Sequence, residues 1–346
     1  MQCSVSDTSQ QIAQARINGA TPRMTRKQAA EAAAAAAAGS VDVAMAVDLP
    51  AGAGGSGGRG DGSAKGSAEG AEGSSDAAYE AAMRELSFDA CDGLTGHYYA
   101  QRPEGKEAAG STLAARTKRL ALEASDMMGG ALPVSASSSI WARVHENQMQ
   151  MWRAMISGPE GTPYSAGLFM FDILAPGEYP NVAPKVNLQT TGGGTVRFNP
   201  NLYNCGKVCL SLLGTWQGDQ GESWHAKTST LLQVLMSIQA LILVPDPFFN
   251  EPGYERSRGT PEGDRQSRQY NEVIREATVR YAMIAQLKSP SPELKDAILG
   301  HFRMRKAVVL EQVRGWATDT QNSARHATAM RTLVTELEAA VEQYAN

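Results

Sequence analysis

The segment Ser229–Val244 (STLLQVLMSIQALILV) is apolar on nearly every side of a helix, and Pro245 and Pro247 forbid its continuation. A helix of that kind is normally buried between other layers. The residues before it change period. Ile140 to Val144, Met151 to Ile156 and Leu168 to Ile173 read as short strands. In the last, Phe169, Phe171 and Ile173 alternate with Leu168, Met170 and Asp172, the pattern of a sheet with one more buried face. GPEGTPYSAG (Gly158 to Gly167) is dense in turn residues and reads as a hairpin connection. Pro176, Pro180 and Pro184 cannot donate to a ladder, so they predict an extended loop that ends the meander or lies along its edge.

Helices are predicted on either side. Leu113 to Met128 reads as one, stopped by Gly129-Gly130, with Arg116, Lys118 and Arg119 on an exposed face. Others fall at Tyr270–Leu287, Pro292–Trp316 and Ser323–Tyr344. In the first of these Tyr270, Val273, Ile274, Ala277, Tyr281 and Ile284 make a helical stripe. The order of helix, antiparallel meander, irregular loop, buried helix and further helices defines an α+β domain. Residues 1–76 differ in kind: an alanine tract, Ala32 to Ala38, precedes a Gly/Ser/Ala stretch with almost no large apolar side chain. Such a segment cannot offset the entropy of ordering it and reads as a flexible tail. The expected organisation is a tail at 1–76, a partly ordered extension at 77–112, a core domain at 113–288 and a helical extension at 289–346.

Composition narrows the function. Lys plus Arg is 32 and Asp plus Glu is 36 in 346 residues, a net charge of −4, which argues against a general nucleic-acid binder. Four scattered cysteines (Cys3, Cys91, Cys205, Cys209) do not make a disulfide scaffold and favour a reducing compartment. The first residues, MQCSVSDTSQ, lack the basic start and apolar core of a signal peptide. No apolar run approaches the roughly 18 residues that a membrane span needs. A soluble protein of the cytoplasm, with the nucleus not excluded, is the expectation.

All the candidate chemistry lies between Thr190 and Lys227, above all in FNPNLYNCGKVCLSLLGTW, Phe198 to Trp216. A structural zinc needs four Cys or His ligands, and only His225 of the five histidines is near in sequence, so a metal site is not expected. A thiolate nucleophile and a buried structural cysteine both remain open on these residues alone.

The same string resembles the active-site region of ubiquitin-conjugating enzymes (E2), whose signature is His-Pro-Asn, a catalytic Cys eight positions after that Asn, then a Trp. Here Asn199-Pro200-Asn201 is followed by Cys209 at that spacing. Upstream stand Gly158-Pro159, Thr162-Pro163-Tyr164, Gly167-Leu168-Phe169 and Tyr179-Pro180 with Pro184, in the family's order. A narrower likeness is to the C-terminal conjugating domain of the giant inhibitor-of-apoptosis hybrid E2/E3 enzymes. It rests on NPNLYNCGKVCLSLLGTW, LLQVLMSIQALILV and FFNEPGYERSRGTPEG.

The resemblance implies a UBC-like α+β fold with an N-terminal helix, a four-stranded antiparallel meander, an active-site loop, a buried central helix and C-terminal helices. It implies that Cys209 accepts ubiquitin from an E1 enzyme as a thioester and that a substrate lysine then attacks it, with no metal or organic cofactor. Asn201 matches the asparagine that supports the oxyanion or braces the loop. Arg116, Lys118 and Arg119 match the basic face that docks E1. An inactive fold that only binds ubiquitin, and an E2 for another ubiquitin-like modifier, are the alternatives. The chain departs from the family in three places. Asn199 replaces the motif histidine. The acidic residue after the buried helix falls near Phe249, leaving Asp246 or Glu251 as substitutes. Two tryptophans, Trp216 and Trp224, occupy a long loop as packing residues. Asn181 and His225-Ala226-Lys227 replace the usual RING-docking side chains, which argues against docking to an ordinary RING ligase.

Overall fold

A computed structural model describes residues 66–110, 114–216 and 222–345. The alanine tract and most of the predicted tail lie outside the described residues. In chain order the elements begin with α1 (Gly66–Glu85), β1 (Phe88–Cys91), α2 (Pro103–Gly110) and α3 (Ala114–Asp126). Strands β2 (Ile140–His145), β3 (Met151–Ser157), β4 (Leu168–Leu174) and β5 (Lys185–Leu188) follow, and then α4 (Leu231–Ser237). The chain ends with α5 (Pro261–Ala277), α6 (Ala285–Lys288), α7 (Lys295–Met304), α8 (Lys306–Thr318) and α9 (Ala324–Tyr344). Among the described residues no helix is long and apolar enough to cross a membrane.

The sheet has five strands in the order β1-β2-β3-β4-β5, so the expected four-stranded antiparallel meander gains one strand. β2 to β5 pair antiparallel, with Ala142 opposite Ala154 and Ala154 opposite Phe171, while β1 adds in parallel, Phe88 beside Ala142. FDAC is too short to show a strand period, which is why the sequence does not announce it. β5 starts one residue beyond Pro184, so the proline passage connects β4 to the edge strand and does not end the meander.

One face of the sheet carries Ala142, Val144, Trp152, Ala154, Ile156, Phe169, Phe171 and Ile173. Against it pack Leu231, Val234, Leu235, Ile238 and Ile242 of the central helix, which runs from α4 into a wider turn, Ile238–Ile242. The burial on all sides that its composition predicts is not met: Gln233 and Leu241 are exposed, and Leu232, Met236, Ser237 and Ala240 are half-buried. The opposite face does not meet water. Trp141, Met155 and Leu168 pack with Tyr79 and Met83 of α1 and with apolar residues of α7, α8 and α9. Leu94, Tyr99 and Ala108 cover Met151 and Leu174. The alternation in β4 had indicated one dominant buried face; instead both faces are covered, and every residue of β3 is buried. The extensions supply the second cover.

Arg153 and its carboxylate partners are paired under that cover, while Trp141 Nε1 and Glu293 Oε2 have no partner among the described residues. Arg153 donates to Asp172 through Nε (2.6 Å) and Nη2 (2.9 Å), and its Nη1 reaches Thr95 O (2.8 Å), Ser291 Oγ (3.1 Å) and Glu293 Oε1 (2.5 Å). One side chain of β3 thus ties both extensions to the sheet.

Helix bounds differ in instructive ways. α1 starts at Gly66, inside the segment read as tail. α5 begins at Pro261 rather than Tyr270, because Thr260 caps it by accepting the Gly263 N–H at 3.0 Å. Pro261 and the acidic Glu262 and Asp264 suit its first turn. The apolar stripe begins only later in that helix. The predicted helix Pro292–Trp316 is broken at Arg305, which separates α7 from α8.

Candidate active site

Beyond β5 the chain folds into a small hairpin that carries Cys209. Isolated bridges pair Asn199 with Leu202, Leu202 with Val208, and Lys207 with Asn187 of β5. At its tip Gly206 takes φ 85°, and a Cβ there would lie 2.4 Å from Asn187 Oδ1, so glycine is required twice over. The Leu188 N–H donates to Gly206 O at 2.8 Å and fastens the hairpin to the sheet edge.

Asn201 and Cys209 face each other across this hairpin. The Cys209 N–H donates to Asn201 O at 2.9 Å, and Asn201 Nδ2 donates to Cys209 O at 2.9 Å. Asn199 lies behind them, fully buried. Its Nδ2 donates to Ile242 O (2.7 Å) and to Tyr164 Oη (3.2 Å), and its Oδ1 accepts the Asn201 N–H (2.8 Å). Tyr164 Oη in turn donates to Phe198 O at 2.7 Å. Asn199 therefore links the end of the central helix to the loop bearing Asn201, and an amide spans that gap with every polar atom partnered.

Burial pushes the Cys209 thiol above the ordinary cysteine range, against the opposing pull of Lys207 and then Arg197. His225 is exposed and its Nδ1 meets Thr228 Oγ1 at 3.2 Å, so it is committed within its own loop. Among the described residues no group of three His, Cys, Asp or Glu side chains converges as a metal site.

The basic helix departs from the sequence reading. Arg116 is buried, not exposed, and burial lowers its pKa from the usual arginine range. Arg119 pairs with Glu123 at 2.6 Å and also donates to the carbonyls of Ala226 and Ser229. Of the three cations only Lys118 stands in solvent, beside Leu122 and Asn181 in a shallow groove. Glu123 is the residue that sequence reasoning missed here. Its buried carboxylate accepts from Tyr179 Oη (2.5 Å) and from the Leu231 N–H (2.7 Å) as well as from Arg119. Trp224 packs on Tyr179, ring centroids 5.5 Å apart, and donates to Pro180 O at 2.6 Å, a packing role as expected. Trp216 is half-buried at the edge of the described residues.

The position after the central helix holds Phe249, buried, with the Arg258 guanidinium 4.4 Å from its ring. The two substitute carboxylates part company. Asp246 pairs with Arg258 at 3.4 Å and accepts from Ser267 Oγ at 3.0 Å. Glu251 pairs instead with Arg197 at 3.2 Å, beside the hairpin of Cys209. Arg197 was not singled out by the motif, though it stands two residues before Asn199.

A mixed α+β domain whose hairpin presents a cysteine against an asparagine, over a buried central helix, has the architecture of a conjugating domain. Residues 124–278 match the ubiquitin-conjugating enzyme family, so the chain carries a domain of that family. It is 46% identical over 267 residues to the human dual E2 ubiquitin-conjugating enzyme/E3 ubiquitin-protein ligase BIRC6, covering 74% of this chain and 5% of that protein. Probable ubiquitin-conjugating enzyme protein 17 of Caenorhabditis elegans is 49% identical over 207 residues, 60% of this chain and 28% of its own length. Probable ubiquitin-conjugating enzyme E2 25 of Arabidopsis thaliana is 43% identical over 215 residues, 62% of this chain and 33% of its own. The chain thus spans a third or less of each of these relatives. A Toxoplasma gondii ubiquitin conjugating enzyme E2 domain is similar at 27% identity over 48% of this chain and 99% of that domain, with a TM-score of 0.36.

Proposed function

We propose that this E2-family chain accepts ubiquitin from an E1 enzyme as a thioester on Cys209 and passes it to a substrate lysine. The observation that carries the reading is the paired hydrogen bonding of Cys209 with Asn201 on a hairpin held to the sheet edge. In the first step the Cys209 thiolate attacks the carbonyl carbon of the E1-bound ubiquitin C-terminus. A new sulfur–carbon bond forms, the old one breaks, and the E1 cysteine leaves as a thiolate. In the second step a neutral lysine amine displaces Cys209 and loses a proton, leaving an isopeptide bond. Negative charge on the carbonyl oxygen in each transition state calls for an amide donor, and the Asn201 side-chain amide is hydrogen-bonded to the backbone of Cys209 itself.

Lys118 and Leu122, exposed on α3, are the side chains we assign to E1 contact. Arg119 serves E1 only indirectly, by holding α3 to the loop before α4. The dual E2/E3 character printed for the human relative is extended here only as a proposal for the matched region. It accords with the absence of the usual RING-docking side chains at Asn181 and His225-Ala226-Lys227.

The test is thioester charging with E1, ATP and ubiquitin on non-reducing gels, beside Cys209→Ala and Cys205→Ala. A thiol-sensitive adduct lost only in Cys209→Ala is expected. An adduct that survives in Cys209→Ala overturns the assignment. Absence of any adduct with a competent E1 moves the chain to a binding module, or to another modifier if that modifier charges it.

A further inference from the structure

Two cations stand on one aromatic ring next to the Cys209 hairpin. The Arg197 guanidinium carbon lies 4.5 Å from the Tyr203 ring centroid and the Lys207 ammonium 5.6 Å from it. Tyr203 and Lys207 belong to the hairpin itself: the Tyr203 N–H donates to Lys207 O at 3.0 Å, and the next pair, Leu202 and Val208, forms a bridge. Cys209 follows directly on that bridge. Arg197 is held from outside the hairpin, donating to Pro200 O at 2.7 Å and pairing with Glu251 at 3.2 Å. Cation–π contact fixes both charges over the ring without neutralising either. Glu251 neutralises Arg197 in part and leaves Lys207 untouched.

We propose that Arg197 and Lys207, seated on Tyr203, form a cationic collar that stabilises the Cys209 thiolate, with Glu251 moderating the Arg197 half. Both are positioning residues that act through the sulfur. The inference rests on Cys209 as the nucleophile only for its consequence, which is faster thioester exchange. A buried thiol is a poor nucleophile because its environment favours the neutral form. Among the described residues no histidine is hydrogen-bonded to Cys209, and fixed positive charge nearby raises the thiolate share. In the exchange the proton given up by Cys209 is balanced by the one that the departing E1 thiolate takes up.

The experiment needs neither E1 nor ubiquitin. The rate of Cys209 alkylation by iodoacetamide, a neutral reagent, is followed by mass spectrometry of the Cys209 peptide as a function of pH. Arg197→Gln and Lys207→Gln should each slow alkylation at pH 8 by roughly three- to tenfold and move the rate midpoint upward. Glu251→Gln should move it downward, and Arg197→Lys, which keeps the charge, should lie near the unsubstituted protein. Raising salt from 20 mM to 0.5 M should slow the unsubstituted protein and leave the double Gln variant nearly unchanged, because the Debye length shrinks from ~20 to ~4 Å. Variants with unshifted midpoints and intact melting curves would overturn the collar. Equal slowing in Arg197→Lys and Arg197→Gln would assign Arg197 a packing role instead and also overturn it. If the midpoints shift but no ubiquitin adduct forms, the collar stands and the conjugating reading falls; the reverse pattern separates them the other way.

Discussion

The side-chain amide of Asn201 donates to the carbonyl of Cys209, while the Cys209 N–H donates back to the carbonyl of Asn201, both at 2.9 Å. One of the two N–H donors of the amide that would meet a developing oxyanion is therefore already engaged on the nucleophile's own backbone. Asn201→Ala leaves a buried carbonyl unpartnered, at a cost of about 1–3 kcal/mol. We expect thermal stability to fall by that order and charging and lysine discharge to slow together. Single-turnover rates for the two steps check this. A loss of ~10²–10³ confined to discharge would mean that the amide serves the transition state directly.

Glu123 gathers Arg119, Tyr179 and the Leu231 N–H onto one buried carboxylate, and so locks α3, the Tyr179-Pro180 loop and the start of the central helix together. Tyr179 is accordingly held un-ionised, its pKa driven far up by burial and by the adjacent Glu123. Removing the carboxylate strands a partly buried guanidinium. Glu123→Ala should lower unfolding free energy by about 3–5 kcal/mol in urea titrations. Lys118→Ala on the same helix should leave stability within ~0.5 kcal/mol while weakening the response of charging to E1 concentration. Loss of stability in Lys118→Ala, or none in Glu123→Ala, would contradict this division.

How far these features could be read beforehand follows from what each depends on. The central helix was legible because of its apolar run and the prolines that end it, although its composition hid the outward side that carries Gln233 and Leu241; the strands β2 to β4 were legible because their period is local. The Asn201–Cys209 spacing is a sequence property and survives folding unchanged. Arg116 and Arg119 misled because charge on a helix is taken as exposed by default, whereas their burial is decided by residues far along the chain, such as Ala226 and Ser229 for Arg119. The covered outer face of the sheet was hidden for the same reason: no window around Arg153 contains Thr95 or Ser291. The Glu251–Arg197 pair joins residues on either side of the central helix, and only the fold brings them together.

That outer-face network makes its own prediction. Arg153 and Asp172 are both almost wholly buried and doubly hydrogen-bonded, and the Tyr98 N–H donates to Asp172 Oδ2 at 2.7 Å. Asp172→Ala leaves the guanidinium to Glu293 alone and strands its Nε and Nη2 donors, and should destabilise the domain by about 3 kcal/mol. Because Thr95, Ser291 and Glu293 share Arg153, the extensions should loosen first. Hydrogen exchange should rise at residues 94–100 and 289–296 before it rises in β3. Uniform loss of protection would show instead that the extensions and the sheet unfold as one unit.

His301 gives the pH dependence. It is buried at the contact of α7 with the outer face, where Tyr79 Oη lies 2.8 Å from Nδ1 and Ala166 O 3.1 Å from Nε2. Burial lowers its pKa from 6.5 to about 4, the nearby Arg305 adding to the effect and the Ala166 carbonyl opposing it. The folded state thus binds fewer protons than the unfolded chain between those values. Its contribution to stability is complete above pH 6.5 and is lost as pH falls toward 4. A shift of that size corresponds to about 3 kcal/mol. Urea unfolding at pH 7 and at pH 4.5 should show a drop that His301→Gln largely removes, although that variant starts less stable at pH 7. An equal drop in both proteins would show that His301 is not the source of the acid sensitivity.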